Sequence, residues 1–133
     1  MVTKLIVALL FLLPRVCVAQ NVAQITKPID GATIFRDHCA ACHGADGRGH
    51  GPAASALKHS VPDLTLITQK NDGKFPYRGV RNAIEGIEPL TRTHASREMP
   101  VWGPIFHEVE ADQDWGEVRL EAITRHIESI QQK

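Results

Sequence analysis

The chain has 133 residues, enough for one domain with a single core and too few for two comfortable ones. Fifteen basic and fifteen acidic side chains balance, with no basic stripe, which argues against a nucleic-acid partner. Aromatic residues are only 5% of the sequence, a thin supply for a core of this size.

The first stretch, "MVTKLIVALLFLLPRVCVAQ", reads as an export signal. Lys4 supplies the positive start, Leu5 to Leu13 are an unbroken apolar run, and Cys17-Val18-Ala19 place small residues where a signal peptidase cuts. The run is too short to span a bilayer, which needs about 20 apolar residues. Lipid attachment at Cys17 is the alternative, but Arg15 and Val16 do not suit a lipoprotein cleavage site. The expected division is therefore a signal peptide over 1–19, a short polar leader over 20–29 and one domain over 30–133. Without Lys4 and Arg15 the chain carries 13 basic and 15 acidic residues, a net charge of −2. Its remaining thiols are then Cys39 and Cys42. A disulfide between positions so close closes a tiny loop and constrains little of the unfolded chain.

From Asp30, "DGATIFRDHCAACHG" predicts a helix: Ile34, Phe35, His38 and Cys42 recur at three- and four-residue steps, and Gly44 stops it. "GADGRGHGPAASALKHSVPDLT" is rich in glycine and proline and predicts an irregular loop. "YRGVRNAIEGI" places Val80, Ile84 and Ile87 on one helical face. "VWGPIFHEVE" does the same with Trp102, Ile105, Phe106 and Val109, with Pro104 in a first helical turn. Acidic residues gather over 108–121, as on a solvated face near a helix start. "DWGEVRLEAITRHIESIQQ" closes the chain with an amphipathic helix carrying Leu120, Ile123, Ile127 and Ile130. Alternating strand patterns are nearly absent. The expected fold is a small all-α domain with large irregular loops, its middle filled in part by something other than protein.

"CAACH" is the densest chemical signal. A thiol–disulfide couple belongs at a helix start beside a parallel sheet, whereas this pair falls at a helix end with no sheet in prospect. Structural zinc takes four ligands, commonly from two such pairs, and no second pair exists. Cys-x-x-Cys-His suits covalent haem attachment, in which two thiols add to the vinyl groups and the next residue reaches the iron. Export fits, because haem is attached outside the bacterial cytoplasm. Met99, in "SREMPVWG", is the sole thioether left once Met1 departs, and His94 is the competing ligand type nearby.

These motifs resemble a class I monohaem cytochrome c of bacterial type, from about Gly31 to Ile130. "CAACH" carries the likeness, "GADGRGHGPAASAL" and "VPDLT" resemble the loop around one haem edge, and "MPVWG" resembles the sulfur-ligand loop. Gly31 and Phe35 match the family's close-contact glycine and aromatic. Ile123 with His126-Ile127 matches the facing helix, His126 standing where an aromatic is usual. The resemblance implies one covalent haem c on Cys39 and Cys42, with His43 and Met99 as axial ligands. It also implies that the Pro52 carbonyl accepts from His43, a contact that fixes the ring and its basicity. Trp102, Tyr77, Arg78 and Arg97 are candidates for neighbours of the haem propionates.

The expected function is periplasmic electron transfer between redox-protein donors and acceptors, among them a membrane or periplasmic oxidoreductase, rather than catalysis. Two alternatives share the same chemistry. One is an electron-accepting subunit of a larger dehydrogenase or oxidase. The other is a haem enzyme that takes peroxide or a small ligand after Met99 release, with His94 and Arg97 nearby.

Overall fold

Asp30 shows how the first helix begins. In the computed structural model, which describes residues 29–87, 98–107 and 115–132, Asp30 is extended. Its carboxylate accepts from the N–H groups of Ala32 and Thr33 at 3.3 and 3.0 Å, and from the Thr33 hydroxyl at 2.7 Å. Two amides that a helix start leaves unbonded are thereby satisfied. Helix α1 (Gly31–His38) buries Gly31, Ile34 and Phe35. The expected signal peptide and leader fall outside the described residues, as do His94, Arg97 and Val109.

The helix expected to run unbroken to Gly44 is two helices. Cys39 (φ −114°) separates α1 from α2 (Ala40–His43), and Gly44 ends α2 at φ 79°. The last carbonyls of α2 are taken by the loop that follows, through Gly49 N–H to His43 O (2.6 Å), Gly51 N–H to Cys42 O (3.0 Å) and Ala53 N–H to Ala41 O (2.8 Å). A helix of four residues has little cooperativity of its own, so these bonds from outside hold it.

The predicted loop runs on from Gly44 with one 3-10 turn at Ala54–Ala56. Gly49 (φ +84°) passes so close to the returning chain that a Cβ there would lie 2.4 Å from the Val61 carbonyl oxygen. Leu64 N–H donates to Gly47 O at 2.8 Å and closes the loop. A second 3-10 turn, Leu64–Leu66, is capped by Asp63 and leads into α3 (Ile67–Lys70). No periodicity in the sequence announced α3.

Helix α4 (Tyr77–Glu85) buries Ile84 and ends at Gly86, which is left-handed. Val80 is half-buried as expected, but Ile87 is 64% exposed because the helix stops before reaching it. Helix α5 (Trp102–His107) buries Gly103 and Phe106. Its inward stripe is Trp102, Gly103 and Phe106, which turns Ile105 outward to 41% exposure against expectation. Helix α6 (Gly116–Ser129) buries Leu120, Ile123, Thr124 and Ile127, with Ile130 half-buried just beyond its end. The buried Thr124 hydroxyl donates to Leu120 O at 2.6 Å, so it carries no unmet polar group into the core.

Helix α6 organises the rest, packing on α1, α4 and α5. At its crossing with α1 a Cβ on Gly31 would lie 2.1 Å from the Ala122 carbonyl oxygen, so only glycine permits the approach. Phe35 meets His126 beside it, ring centroids 5.2 Å apart and tilted by 50°. Arg81 of α4 joins Glu85 and Glu117, each at 2.6 Å, tying α4 to α6. Past α6, Gln131 Nε2 donates to Leu64 O at 2.7 Å and Gln132 N–H to Thr65 O at 2.9 Å. The chain end is thus strapped to the second 3-10 turn. Among the described residues every regular element is helical and none is a strand, so the fold is all-α as expected.

Candidate functional site

Cys39 sits at the junction of α1 and α2, and Cys42 and His43 lie within α2. The His43 N–H donates to Cys39 O at 2.9 Å, which stacks the first cysteine and the histidine one helical turn apart. Both cysteines are free thiols. Cys39 belongs to the hydrophobic core with Ile34, Phe35 and Leu120, while Cys42 is half-buried. Burial, with a smaller contribution from the neighbouring Cys42, pushes the Cys39 thiol up to about 12. A dithiol built for exchange needs an accessible thiolate of lowered pKa, so this environment speaks against the thiol–disulfide reading.

Zinc fares no better. Among the described residues the one group of three His, Cys, Asp or Glu ligand atoms within 4.8 Å of one another is Glu85, His107 and Glu117, away from both cysteines. There the Arg81 guanidinium already bridges the two carboxylates and supplies the positive charge a metal would bring.

His43 is buried, with 8% of its surface exposed. Its Nδ1 faces the carbonyl oxygen of Pro62 at 3.4 Å, long for a hydrogen bond but correctly directed toward an acceptor. A proton on Nδ1 leaves the ring's lone pair on Nε2, the tautomer that a metal requires. The carbonyl expected here was that of Pro52. Pro52 is exposed, because the Gly49–Ala53 amides fold that part of the loop back over the α2 carbonyls, and the chain reaches the ring only on its return at Pro62.

Met99 is half-buried and packs against the same core cluster that contains Cys39. Trp102 joins that cluster, stacking on Phe106 with centroids 5.7 Å apart, and both rings meet His38 edge-on at 5.1 and 5.5 Å. Cys39 lies within one hydrophobic cluster, and Met99 and Trp102, distant in sequence, both pack against it. Tyr77 is engaged elsewhere. Its hydroxyl donates to Glu121 Oε2 at 2.5 Å, the Arg125 guanidinium lies 5.5 Å from its ring centre, and burial together with the carboxylate pushes its pKa up to about 12. Arg78 is exposed.

Sequence reasoning passed over Glu98 and His59. The Glu98 carboxylate accepts from the backbone N–H groups of Lys58 and His59 at 2.8 and 3.3 Å and meets His59 Nδ1 at 3.1 Å. These bonds, led by the Lys58 amide, hold the Glu98 carboxyl below the usual carboxylate range. A charged residue directly before Met99 was the available signal, but its partner lies 40 positions away.

The donor set fits a covalently bound haem. It offers two thiols, one buried, a buried imidazole whose Nδ1 faces a backbone carbonyl, and a thioether packed against the cluster that contains Cys39. No curated protein and no solved structure matches the chain. The family model described as Cytochrome c matches residues 29–119, and the chain belongs to the cytochrome c family, whose domains carry covalently attached haem c.

Proposed function

We propose that the chain is an exported, periplasmic monohaem cytochrome c that carries electrons between redox proteins, with Cys39 and Cys42 as attachment points and His43 and Met99 as axial ligands. Family membership supports haem-based electron transfer. The single observation that carries the residue assignment is His43, buried at the end of α2 with Nδ1 turned to Pro62 O, in the turn that holds both thiols. The bound haem supplies one-electron chemistry at its iron.

The chain's own residues set how that chemistry runs. Pro62 fixes the His43 ring and raises its basicity as a ligand. Met99 brings a neutral thioether, which favours the reduced iron and raises the potential relative to two imidazoles. Two strong protein ligands leave no position for a small molecule, which favours a carrier over a peroxide-using enzyme. Trp102 packs against the cluster that contains Cys39, and the exposed His38 meets Trp102 and Phe106 edge-on. No helix of the described residues is long and apolar enough to cross a membrane.

Denaturing gels of the mature protein should retain haem staining, and Cys39→Ala or Cys42→Ala should sharply weaken it. Met99→Ala should keep covalent haem, lose the sulfur-to-iron charge-transfer band of the oxidised form and gain carbon monoxide binding when reduced. His94→Ala should leave that band unchanged. Haem that washes out of the denatured wild type, or a band that follows His94 instead of Met99, rejects the assignment. N-terminal mass analysis should find a start near Gln20 and no lipid on Cys17.

A further inference from the structure

We infer that Glu98 is a positioning residue for Met99, and that the segment Lys58–Pro62 is the common support of both axial ligands. The inference rests on the proposed Met99 ligation and goes beyond it. The Glu98 carboxylate takes the consecutive amides of Lys58 and His59 with its two oxygens, at 2.8 and 3.3 Å, and its Oε2 also meets the His59 ring at 3.1 Å. Three contacts converge on one side chain, whose surface is only 24% exposed. Hydrogen bonds to an ionised acceptor are the strong kind, and two of these come from main-chain amides rather than from side chains.

The segment that gives those amides continues within three residues to Pro62, whose carbonyl faces His43 Nδ1. It is pinned from below where Gly49 passes under Val61 with no room for a Cβ. One short stretch of backbone therefore holds the histidine by an acceptor at one end and the methionine's neighbour by donors at the other. The Met99 stretch needs such a fastening. It precedes Pro100, is irregular, and its half-buried Met99 is the only hydrophobic contact with the core among residues 98–101. Glu98 supplies it from the adjacent position, so Met99 stays packed against the core without a helix to carry it.

Glu98→Ala removes all three acceptor contacts. Glu98→Gln keeps a carbonyl oxygen for one amide and loses the charge. His59→Ala removes only the ring contact and keeps both main-chain donors. The holoprotein should lose or sharply weaken the sulfur-to-iron band in Glu98→Ala, with faster carbon monoxide binding when reduced, by about tenfold. Glu98→Gln should fall between Glu98→Ala and the wild type, and His59→Ala should stay close to the wild type. Hydrogen exchange at the Lys58 amide should accelerate in the order His59→Ala, Glu98→Gln, Glu98→Ala. Far-ultraviolet circular dichroism should keep its helical signal in the variants compared; if Glu98→Ala loses it, the order of Glu98→Gln and His59→Ala decides. A wild-type band left intact by Glu98→Ala, or equal effects of Glu98→Gln and His59→Ala where Glu98→Ala does not fold, overturns this inference and leaves Met99 ligation standing. A wild type without the band overturns Met99 ligation itself, and the inference with it.

Discussion

At the α1–α6 crossing Leu120 and Ile123 are fully buried, Phe35 is 1% exposed and Ile127 4%. Along the loop from Gly44 to Pro62 the fully enclosed residues are Gly44, Gly47, Gly49 and Gly51, and no side chain larger than hydrogen is buried until Leu64. The crossing is thus stabilised by apolar area, on the order of 1.5–3 kcal/mol for each large side chain removed from water. The loop relies on backbone hydrogen bonds such as those from Gly49, Gly51 and Ala53, each contributing about 1 kcal/mol net. Ordering a loop residue costs about as much as one such bond returns. The crossing can therefore hold itself together, whereas the loop's own backbone bonds do little more than offset the cost of ordering it.

Substitutions at two glycines separate the two kinds of stabilisation. Gly31→Val should have the largest effect, because its Cβ would fall 2.1 Å from a backbone oxygen of α6 that cannot rotate away. A loss of about 3 kcal/mol is expected in denaturant unfolding, with the transition moving as a whole. Gly49→Ala combines a left-handed backbone with a Cβ 2.4 Å from Val61 O, and should cost about 2 kcal/mol. Its signature should be local: faster exchange at the amides of Gly49, Gly51 and Ala53, while the α6 amides keep most of their protection. A Gly49→Ala variant in which α6 loosens equally would show that loop and crossing are one cooperative unit.

The smallest effect is one of pH. Burial holds the His126 imidazole below its ordinary value of 6.5, the Asp30 carboxylate opposing this in part. The folded state therefore binds this proton less readily than the unfolded chain does. His126 leaves stability at its full value above pH 6.5 and lowers it as pH falls from there toward the folded-state pKa. His126→Phe keeps a ring against Phe35 and should flatten that part of the stability profile, measured by thermal unfolding on either side of pH 6.5.

The sequence made α1, α4 and α6 legible because their signals are local. Asp30 starts α1, Val80 and Ile84 mark the inner face of α4, and the three- and four-residue recurrence of Leu120, Ile123 and Ile127 marks the buried face of α6. The break at Cys39 and the length of α2 were not legible, since α2 is held by amides six or more positions further along. Pro52 and Pro62 are both prolines in the stretch after His43. Which carbonyl reaches the ring depends on where the loop turns back, and that is set by the fit of Gly49 beneath Val61. Ile87 follows the periodicity of a helix that stops before reaching it, whereas Ile105 lies within its helix but off the stripe that Trp102, Gly103 and Phe106 turn inward. The fastening of Glu98 escaped notice because charge next to a methionine says nothing about a partner 40 positions away.

The contact between Gly31 and Ala122 also bears on how fast the chain folds. Helical domains are usually quick folders because most of their contacts join sequence neighbours. Here α6 packs on an element from the opposite end of the domain, so that pairing closes almost the whole domain as one loop before it yields any stabilisation. A bundle of adjacent helices of equal size should reach its native state sooner. In the proposed site, a group bonded at Cys39 and held at Met99 joins the two halves of that loop in advance, and only the short stretches from Gly31 to Cys39 and from Met99 to Ala122 are left to close.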